Sequence, residues 1–484
     1  MDQPRVPGHA IATDFKIAAW LVQPSLNRLS CEDHVIQLEP KLMDVLVYLA
    51  ANAGRVVSKN DITDAVWPDV FITESVITRS IAILRRAFGD DVRSPRFIET
   101  ISKRGYRLIA DVAIETAPTR PAPIPEELPA AVTSRGVVDF VPPYVIGQWV
   151  RAEKFYGRSR TIDEVLRGNR NWLWLLGTRR IGKTSLLKQL ELIVSTSQEL
   201  GYVPVFWDLQ GTDRPEELHL DFADALLDAE EHLARAGIAL ADVRSEDCFD
   251  SLARLRRALL ARNLRLLLLC DEVEELLNLN RQDPSLLRKL RRALQSREGI
   301  RSVLASSSRL WSLAEAGEET SPFLDGFTPP LTIGPLAAAD ARALILQAQL
   351  PRRSRPPFEE REVERIRELC GDHPYLIQVL SRRALDRGNL DEAIEDVHND
   401  RAAAFFFSVD FDLISETERT ILVALATGRP ESLDSEAGAA PQPLSDGRTS
   451  LSNLHRLGLV RLDSEDRFCV ANEFLRRWLV ERQP

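Results

Sequence analysis

The sequence predicts a multidomain chain: a central α/β domain on a parallel sheet, with a smaller α+β segment towards each end. Three patterns carry that prediction. The apolar run Trp172–Leu176 leads into Gly177-Thr178-Arg179-Arg180-Ile181-Gly182-Lys183-Thr184 and then a helical stretch. A second apolar run, Leu264–Cys270, ends on Asp271-Glu272. Near each end, residues at helical spacing precede two short alternating runs joined by a polar turn.

Bulk properties set the bounds. With 484 residues there is room for roughly three domains. Apolar residues make up 44% and charged residues 28%, so sizeable cores are available. No apolar run approaches the ~18–20 residues that span a bilayer, and the N-terminus lacks a signal-peptide core, so the expectation is a cytoplasmic protein with no membrane partner. Cys31, Cys248, Cys270, Cys370 and Cys469 are scattered without a CxxC pair, which disfavours a disulfide frame or zinc site. The net charge of −10 argues against a uniformly basic coat but leaves room for a local basic patch.

That patch lies in the first 112 residues. Phe15 to Leu38 alternates apolar and polar residues around a turn at Pro24-Ser25-Leu26-Asn27, the pattern of a small antiparallel sheet. Pro40 opens a helix whose apolar positions are Leu42, Val45, Leu46 and Leu49, ending near Asn52-Ala53-Gly54. Ser58 caps a second helix that includes Ile62, Ala65 and Val66, and Thr73 a third, from about Glu74 to Phe88. In the third, Ile77, Ile81, Leu84 and Phe88 face a core. Ser75, Arg79, Ala82 and Arg86 share the opposite face, with Thr78 and Arg85 beside it. Phe97–Ile109 then reads as a hairpin tipped by Ser102-Lys103-Arg104-Gly105. From Ser75 to Arg107 there are eight Arg or Lys against three acids, an excess of five positive charges. A basic helix beside a basic hairpin suits a major groove and its backbone.

Glu39-Pro40-Lys41, Val56-Val57-Ser58-Lys59, Val66-Trp67-Pro68, Leu84-Arg85-Arg86-Ala87-Phe88-Gly89-Asp90-Asp91, Phe97-Ile98-Glu99-Thr100 and Arg104-Gly105-Tyr106-Arg107-Leu108 together resemble the OmpR-type winged-helix domain of CadC-like transcription regulators. The resemblance covers roughly residues 12 to 112. It implies double-stranded DNA as partner, with Ser75, Thr78, Arg79, Arg85 and Arg86 on the reading helix. Lys103, Arg104 and Arg107 would serve the hairpin contact.

Residues 113–143 carry seven prolines (118, 121, 123, 125, 129, 142 and 143) and are expected to be an extended linker. The central domain, expected over 144–330, is organised by Gly177–Thr184. Between a strand and a helix, this is a Walker A loop, whose amides and helix dipole attract phosphate. Lys183 would reach the β- and γ-phosphates, and the Thr184 hydroxyl would ligate Mg²⁺. Thr178, Arg179, Arg180, Ile181, Gly182 and Ser185 complete the expected nucleotide-binding stretch. Val203–Asp208 reads as a second strand. Leu264–Cys270 reads as a buried parallel strand with Asp271 and Glu272 at its tip, a Walker B. Asp271 would hold Mg²⁺ and Glu272 would polarise the attacking water, so a slow ATPase is expected. Glu274 and Glu275 are expected on the next helix surface. Arg301–Ala305 is a further strand, ending in Ser306-Ser307-Ser308-Arg309.

These motifs resemble the P-loop ATPases of the AAA+ and STAND groups, with an archaeal-ATPase-like core. The resemblance implies that Tyr156, Gly157 and Arg158 cover the adenine. A serine of 306–308, with Ser307 the central choice, would sense the γ-phosphate. Arg309 either acts on a neighbouring subunit's nucleotide or is a solvated loop residue. Leu331–Leu336 and the helix at Asp340–Leu344 begin a helical lid over 331–407, in which the turn Cys370–Ile377 places His373 or Pro374 near the nucleotide. The last segment, 408–484, has a capped helix at Ser415–Ala426 and a Gly/Pro-rich loop at 428–447. A helix near 450–457, a hairpin with an acidic tip and a final helix with Phe474, Leu475, Trp478 and Leu479 follow. That is a second winged-helix pattern, read as packing on the ATPase. The full expectation is an N-terminal winged helix, a central α/β P-loop NTPase with helical lid, and a C-terminal winged helix.

The functional expectation is an ATP-dependent DNA-binding switch, a STAND-type transcription regulator that self-associates as a homo-oligomer when ATP replaces ADP. The alternatives are a nucleic-acid-sensing ATPase of a defence system working with a partner effector protein, and a DNA-remodelling or transposition-type AAA+ ATPase.

Overall fold

The structure is a computed structural model. It describes residues 14–24, 28–31, 34–38, 40–66, 74–90, 95–101, 105–114, 143–146, 148–212, 214–295, 298–311, 323–428, 445–463 and 465–482. The expected linker falls outside them except at its two ends. The chain divides into two compact units, residues 1–136 and 137–484.

In the first unit, strands β1 (Phe15–Ile17), β2 (Trp20–Gln23), β3 (Arg28–Cys31) and β4 (His34–Gln37) form an antiparallel meander. Strands β5 (Ile98–Ile101) and β6 (Gly105–Leu108) make the hairpin, and β7 (Val112–Ile114), not anticipated, pairs with β1. Three helices, Pro40–Ala51, Lys59–Val66 and Glu74–Phe88, lie between sheet and hairpin in the chain. The second starts with a reciprocal cap: Asp61 N–H donates to Ser58 Oγ at 3.1 Å, and Ser58 N–H to Asp61 Oδ2 at 3.1 Å. The expected core positions Val45, Leu46, Leu49, Ile77, Ile81, Leu84 and Phe88 are all buried. Phe88 stacks on Phe97 with ring centroids 4.7 Å apart, tying the third helix to the hairpin. This is a winged helix.

The second unit holds a parallel five-stranded sheet of order β12-β8-β11-β10-β9. Its strands are β8 (Trp172–Leu176), β9 (Tyr202–Asp208), β10 (Arg265–Asp271), β11 (Ile300–Ser306) and β12 (Leu331–Thr332). β9 is an edge strand, a position that tolerates Pro204. The four internal residues of β10 from Leu266 to Leu269 are fully buried, as a parallel strand covered on both faces requires. Because β11 lies between β8 and β10, its tip sits between the phosphate-type loop and the acidic pair.

Helices Ala338–Ile345, Glu360–Cys370, Pro374–Arg387 and Leu390–His398 follow the sheet. The next helix, Arg401–Leu413, crosses the expected boundary between lid and terminal segment at 407/408. Beyond it come helices Glu416–Thr427 and Ser445–Leu457, the antiparallel pair β13 (Val460–Leu462) and β14 (Phe468–Val470), and helix Glu473–Glu481. One continuous apolar cluster runs from Trp174 and Leu268 through Ile377 and Phe406 to Phe474 and Leu479. The terminal segment therefore shares its core with the lid and sheet. Gly371 shows how closely they fit. It has φ +56°, and a Cβ there would lie 2.0 Å from the Ala471 carbonyl oxygen.

Candidate functional site

The loop after β8 turns because Arg180 and Gly182 adopt positive φ, 58° and 101°. Helix Lys183–Thr196 starts directly behind it. Lys183 is buried, and its Nζ donates to the carbonyl oxygens of Gly177 (3.1 Å) and Thr178 (3.0 Å). The ammonium is thus held by the carbonyls of the loop itself. Ile181 packs in the core below, and Ser185 accepts from the Val150 N–H through its Oγ at 3.1 Å.

At the end of β10, Asp271 is buried and hydrogen-bonded to Thr184. Burial pushes its carboxyl up to about 6, Thr184 and Lys183 pull the other way, and Asp208 adds to the rise. Its Oδ1 has no hydrogen-bond partner. Glu272 follows in a left-handed conformation at φ 50°. Its carboxyl is also raised, by burial first and then by the charges of Glu274 and Asp271.

Glu274 corrects the expectation of a surface residue. It is buried, and both its carboxylate oxygens accept from the Ser307 N–H, at 3.1 and 3.2 Å. The structure also separates the three serines. Ser306 Oγ is engaged by Trp174 Nε1 at 2.8 Å. Ser307 is buried with an Oγ that has no partner, and Ser308 opens a short 3₁₀ turn carrying the exposed Arg309. A buried hydroxyl left unpaired, on a residue whose N–H is held by the buried Glu274 carboxylate, is the arrangement expected of a ligand-facing group.

The Phe155–Arg158 stretch is fastened to the lid and to the loop. Gln349 Nε2 donates to the Phe155 carbonyl at 2.9 Å, and Gln349 N–H reaches the Tyr156 hydroxyl at 3.4 Å. A Cβ on Gly157 would press on Asp340, 2.8 Å from its Oδ2. Arg158 donates to the carbonyls of Ile181 and Pro335, each at 3.2 Å, and burial lowers its guanidinium to about 10.

His373 precedes Pro374, the first residue of helix Pro374–Arg387. It is buried, neither ring nitrogen has a partner, and its ring meets Phe406 edge-on at 5.5 Å. Burial, then Arg158 and Arg180, push its imidazole down to about 3. Arg180 itself lies over the Tyr375 ring, 4.3 Å from the centroid. His373 and Thr178 line one cavity with Phe406, Asp410 and Phe411.

Sequence reasoning missed Asp410 altogether. It is buried on helix Arg401–Leu413, and its Oδ1 accepts from the Arg179 N–H at 3.3 Å. Burial raises its carboxyl to about 6, opposed by that amide and by Lys183 and Arg179. Two acids, Asp410 and Asp412, in the largely apolar stretch Ala402–Leu413 were the available signal. Only the tertiary fold brings Asp410 to the loop.

In the first unit the basic surface is partly structural. Arg85, expected to face DNA, is buried instead. Its guanidinium donates to the Ile98 carbonyl through Nε (3.1 Å) and Nη2 (2.7 Å), and to Thr100 Oγ1 (2.9 Å). A planar fork of donors satisfies the edge of the hairpin, which a residue judged by its helix face alone does not reveal. Arg107 is half-buried and pairs with Glu99 across the hairpin at 2.5 Å. Arg86 is exposed. The side chains of Ser75, Thr78 and Arg79, and residues Lys103 and Arg104, lie outside the described residues.

Residues 33–108 match the family model described as "Transcriptional regulatory protein, C terminal". The Transcriptional activator CadC of Escherichia coli is 39% identical over 123 residues, 24% of this chain and 24% of that protein. A cholera toxin transcriptional activator of Vibrio cholerae is 35% identical over 82 residues, 16% of this chain and 28% of that one. The chain thus spans about a quarter of the length of these curated relatives. The Walker-type ATPase paby2304 of Pyrococcus abyssi is similar in fold. It is 18% identical, with a TM-score of 0.50, covering 70% of this chain and 99% of that one. The protein therefore joins a winged helix of the transcriptional-regulator type to a unit with the fold of P-loop ATPases.

Proposed function

We propose that this chain is a cytoplasmic, nucleotide-controlled DNA-binding regulator of the STAND type. The observation that supports it best is that Lys183, Thr184, Asp271, Glu272 and Ser307 all lie at or just beyond the C-terminal ends of the central parallel strands β8, β10 and β11, in a chain that also carries a transcriptional-regulator winged helix. In this reading Tyr156, Gly157 and Arg158 border the adenine. The loop amides from Gly177 to Ser185 and Lys183 hold the phosphates of ATP or ADP.

The residues suit Mg²⁺: the Thr184 hydroxyl and the unpaired Asp271 Oδ1 are hard oxygen donors side by side. When bound, the ion would neutralise phosphate charge. In this reading Glu272, its carboxyl raised towards neutrality, would hold a water and take its proton. Ser307, fixed through Glu274, and His373 at the lid turn would respond to which nucleotide is present.

We read residues 416–481 as a second, winged-helix-like segment that packs on the ATPase rather than on DNA. The domain limits are those read from the sequence, except that the lid runs to the end of helix Arg401–Leu413. ATP in place of ADP would loosen the lid and terminal segment and favour a homo-oligomer, concentrating N-terminal domains on DNA. A partner protein would supply the signal.

Lys183→Ala tests the reading. A folded variant, checked by thermal melting, is expected to bind Mg-ATP at least tenfold more weakly than wild type and to lose nucleotide-dependent DNA binding. Equal nucleotide affinity and equal DNA response in the two proteins would sink it.

A further inference from the structure

Of the groups around the phosphate-type loop, Asp410 is the one whose position the proposed function leaves unexplained. It lies between Phe406, Phe407 and Phe411 on a helix packed into the apolar core, and it is only 5% exposed. Isolating a carboxylate among aromatic rings is unfavourable unless it gains partners elsewhere. Its partner is the Arg179 N–H, in the middle of the loop, with Lys183 and Arg179 the cations that act on it.

The Arg179 N–H belongs to the loop whose backbone amides would receive a nucleotide phosphate, and the charge of Lys183 favours an anion there. A carboxylate oxygen and a phosphate oxygen are alternative acceptors for that N–H. Two anions on the same donor repel each other, most strongly where burial removes water. Lys183 meanwhile turns its ammonium onto the carbonyls of Gly177 and Thr178.

We propose that Asp410 is a built-in competitor for the phosphate site: its carboxylate closes the loop when helix Arg401–Leu413 is docked, and a nucleotide phosphate must displace it. The competition has a mechanical consequence. Helix Arg401–Leu413 is separated from helix Glu416–Thr427 only by Ile414 and Ser415. Arg419 donates across that junction to the carbonyls of Phe411 (2.9 Å) and Asp412 (2.7 Å), so the two helices move together. Trp478 of the last helix lies against Phe407 and Phe411, with centroids 6.2 and 5.6 Å away. Phosphate binding would thus be relayed to the terminal segment through one side chain.

This inference rests on the nucleotide-binding reading, and the experiment separates the two. Mg-ATP affinity is measured by calorimetry on the full chain for wild type, Asp410→Asn and Asp412→Asn. Asp410→Asn keeps the acceptor oxygen and removes the charge, and is expected to bind at least tenfold more tightly. Asp412→Asn, an exposed neighbour on the same helix, is expected to match wild type. Equal affinities for wild type and Asp410→Asn overturn the competition while leaving nucleotide binding intact. Absence of binding in all three folded proteins overturns the nucleotide reading itself, and the competition with it. A second measurement needs no variant: saturating Mg-ATP is expected to raise amide exchange across 401–413 in wild type at least fivefold. Unchanged exchange under saturation counts against displacement of the helix.

Discussion

Two regions of this chain place a helix beside a β-hairpin, and they use the arrangement in opposite ways. Residues 74–108 belong to a unit whose core, from Phe15 to Leu108, is its own. Residues 445–481 contribute Leu454, Val460, Phe474 and Leu479 to the apolar cluster that also holds the parallel sheet and the helices after it. The first hairpin joins an arginine-bearing helix, and Arg86 on it is exposed. The second fits so closely on the lid that Gly371 and Ala471 leave no room for a methyl group. Similar local patterns thus give an independent module in one case and a docked segment in the other. What decides between them is where the apolar face finds its partner.

The docked state is the easier of the two to break. Gly371→Val would force a side chain onto the Ala471 carbonyl, at a residue whose φ of +56° already disfavours one. Overpacking together with backbone strain should cost about 3–5 kcal/mol in the second unit. Limited proteolysis is expected to release the terminal segment from the variant while the N-terminal unit stays protected. Equal protection of both regions would show that the fit at Gly371 does not hold the segment.

The corresponding fixture in the first unit is Arg85. Replacing it by alanine leaves the Ile98 carbonyl without three-centre support from Nε and Nη2 and removes the bond to Thr100. A buried acceptor left unpaired costs about 2–3 kcal/mol, including the lost packing of the arginine stem. Melting of the N-terminal unit should fall accordingly, with that of the second unit unchanged.

The contrast also shows what was legible in the sequence. The three helices of the first unit, its hairpin, and the parallel strands before the phosphate-type loop and Asp271 all follow from periodicity and punctuation. Thr184 and Asp271 were each legible too, since each lies at the tip of a recognisable element, but their hydrogen bond to one another was not read from the sequence. Residues whose role depends on a distant partner were not legible. Arg85 sits next to the exposed face of its helix, yet its guanidinium is bound 13 residues away at Ile98. Glu274 looks like one of several acids on a polar turn, and only the adjacency of β10 and β11 puts it on the Ser307 amide. Asp410 lies 231 residues from the amide it accepts from. β7 was missed because three residues pairing with a strand nearly a hundred positions earlier carry almost no local signal.

His373 gives the comparison a pH dependence that only the second unit should show. Its imidazole titrates near 6.5 when exposed and about 3 when buried. Between those values the unfolded chain binds the extra proton, so this contribution to stability is complete above pH 6.5 and is lost as pH falls towards 3. From pH 7 to 5 the loss amounts to about 2 kcal/mol. His373→Phe should remove that part of the slope: the wild-type second unit should lose more melting temperature than the variant over this range. Identical slopes would mean that the imidazole is hydrated in solution.

Arg86 tests the other side of the comparison, with the smallest effect on stability. It is exposed in the last turn of helix Glu74–Phe88, so truncation should change melting by less than about 0.5 kcal/mol. If that helix faces the DNA backbone, Arg86→Ala should weaken binding to all duplex sequences alike. It should also lower the slope of log affinity against log salt by about one, the signature of one lost phosphate contact. A base-reading arginine would behave differently. Its loss would cost about 1–3 kcal/mol on the preferred sequence alone and leave non-specific binding nearly unchanged. Measuring both variants at two salt concentrations therefore separates an arginine that holds the domain together, Arg85, from one that meets a charged partner, Arg86.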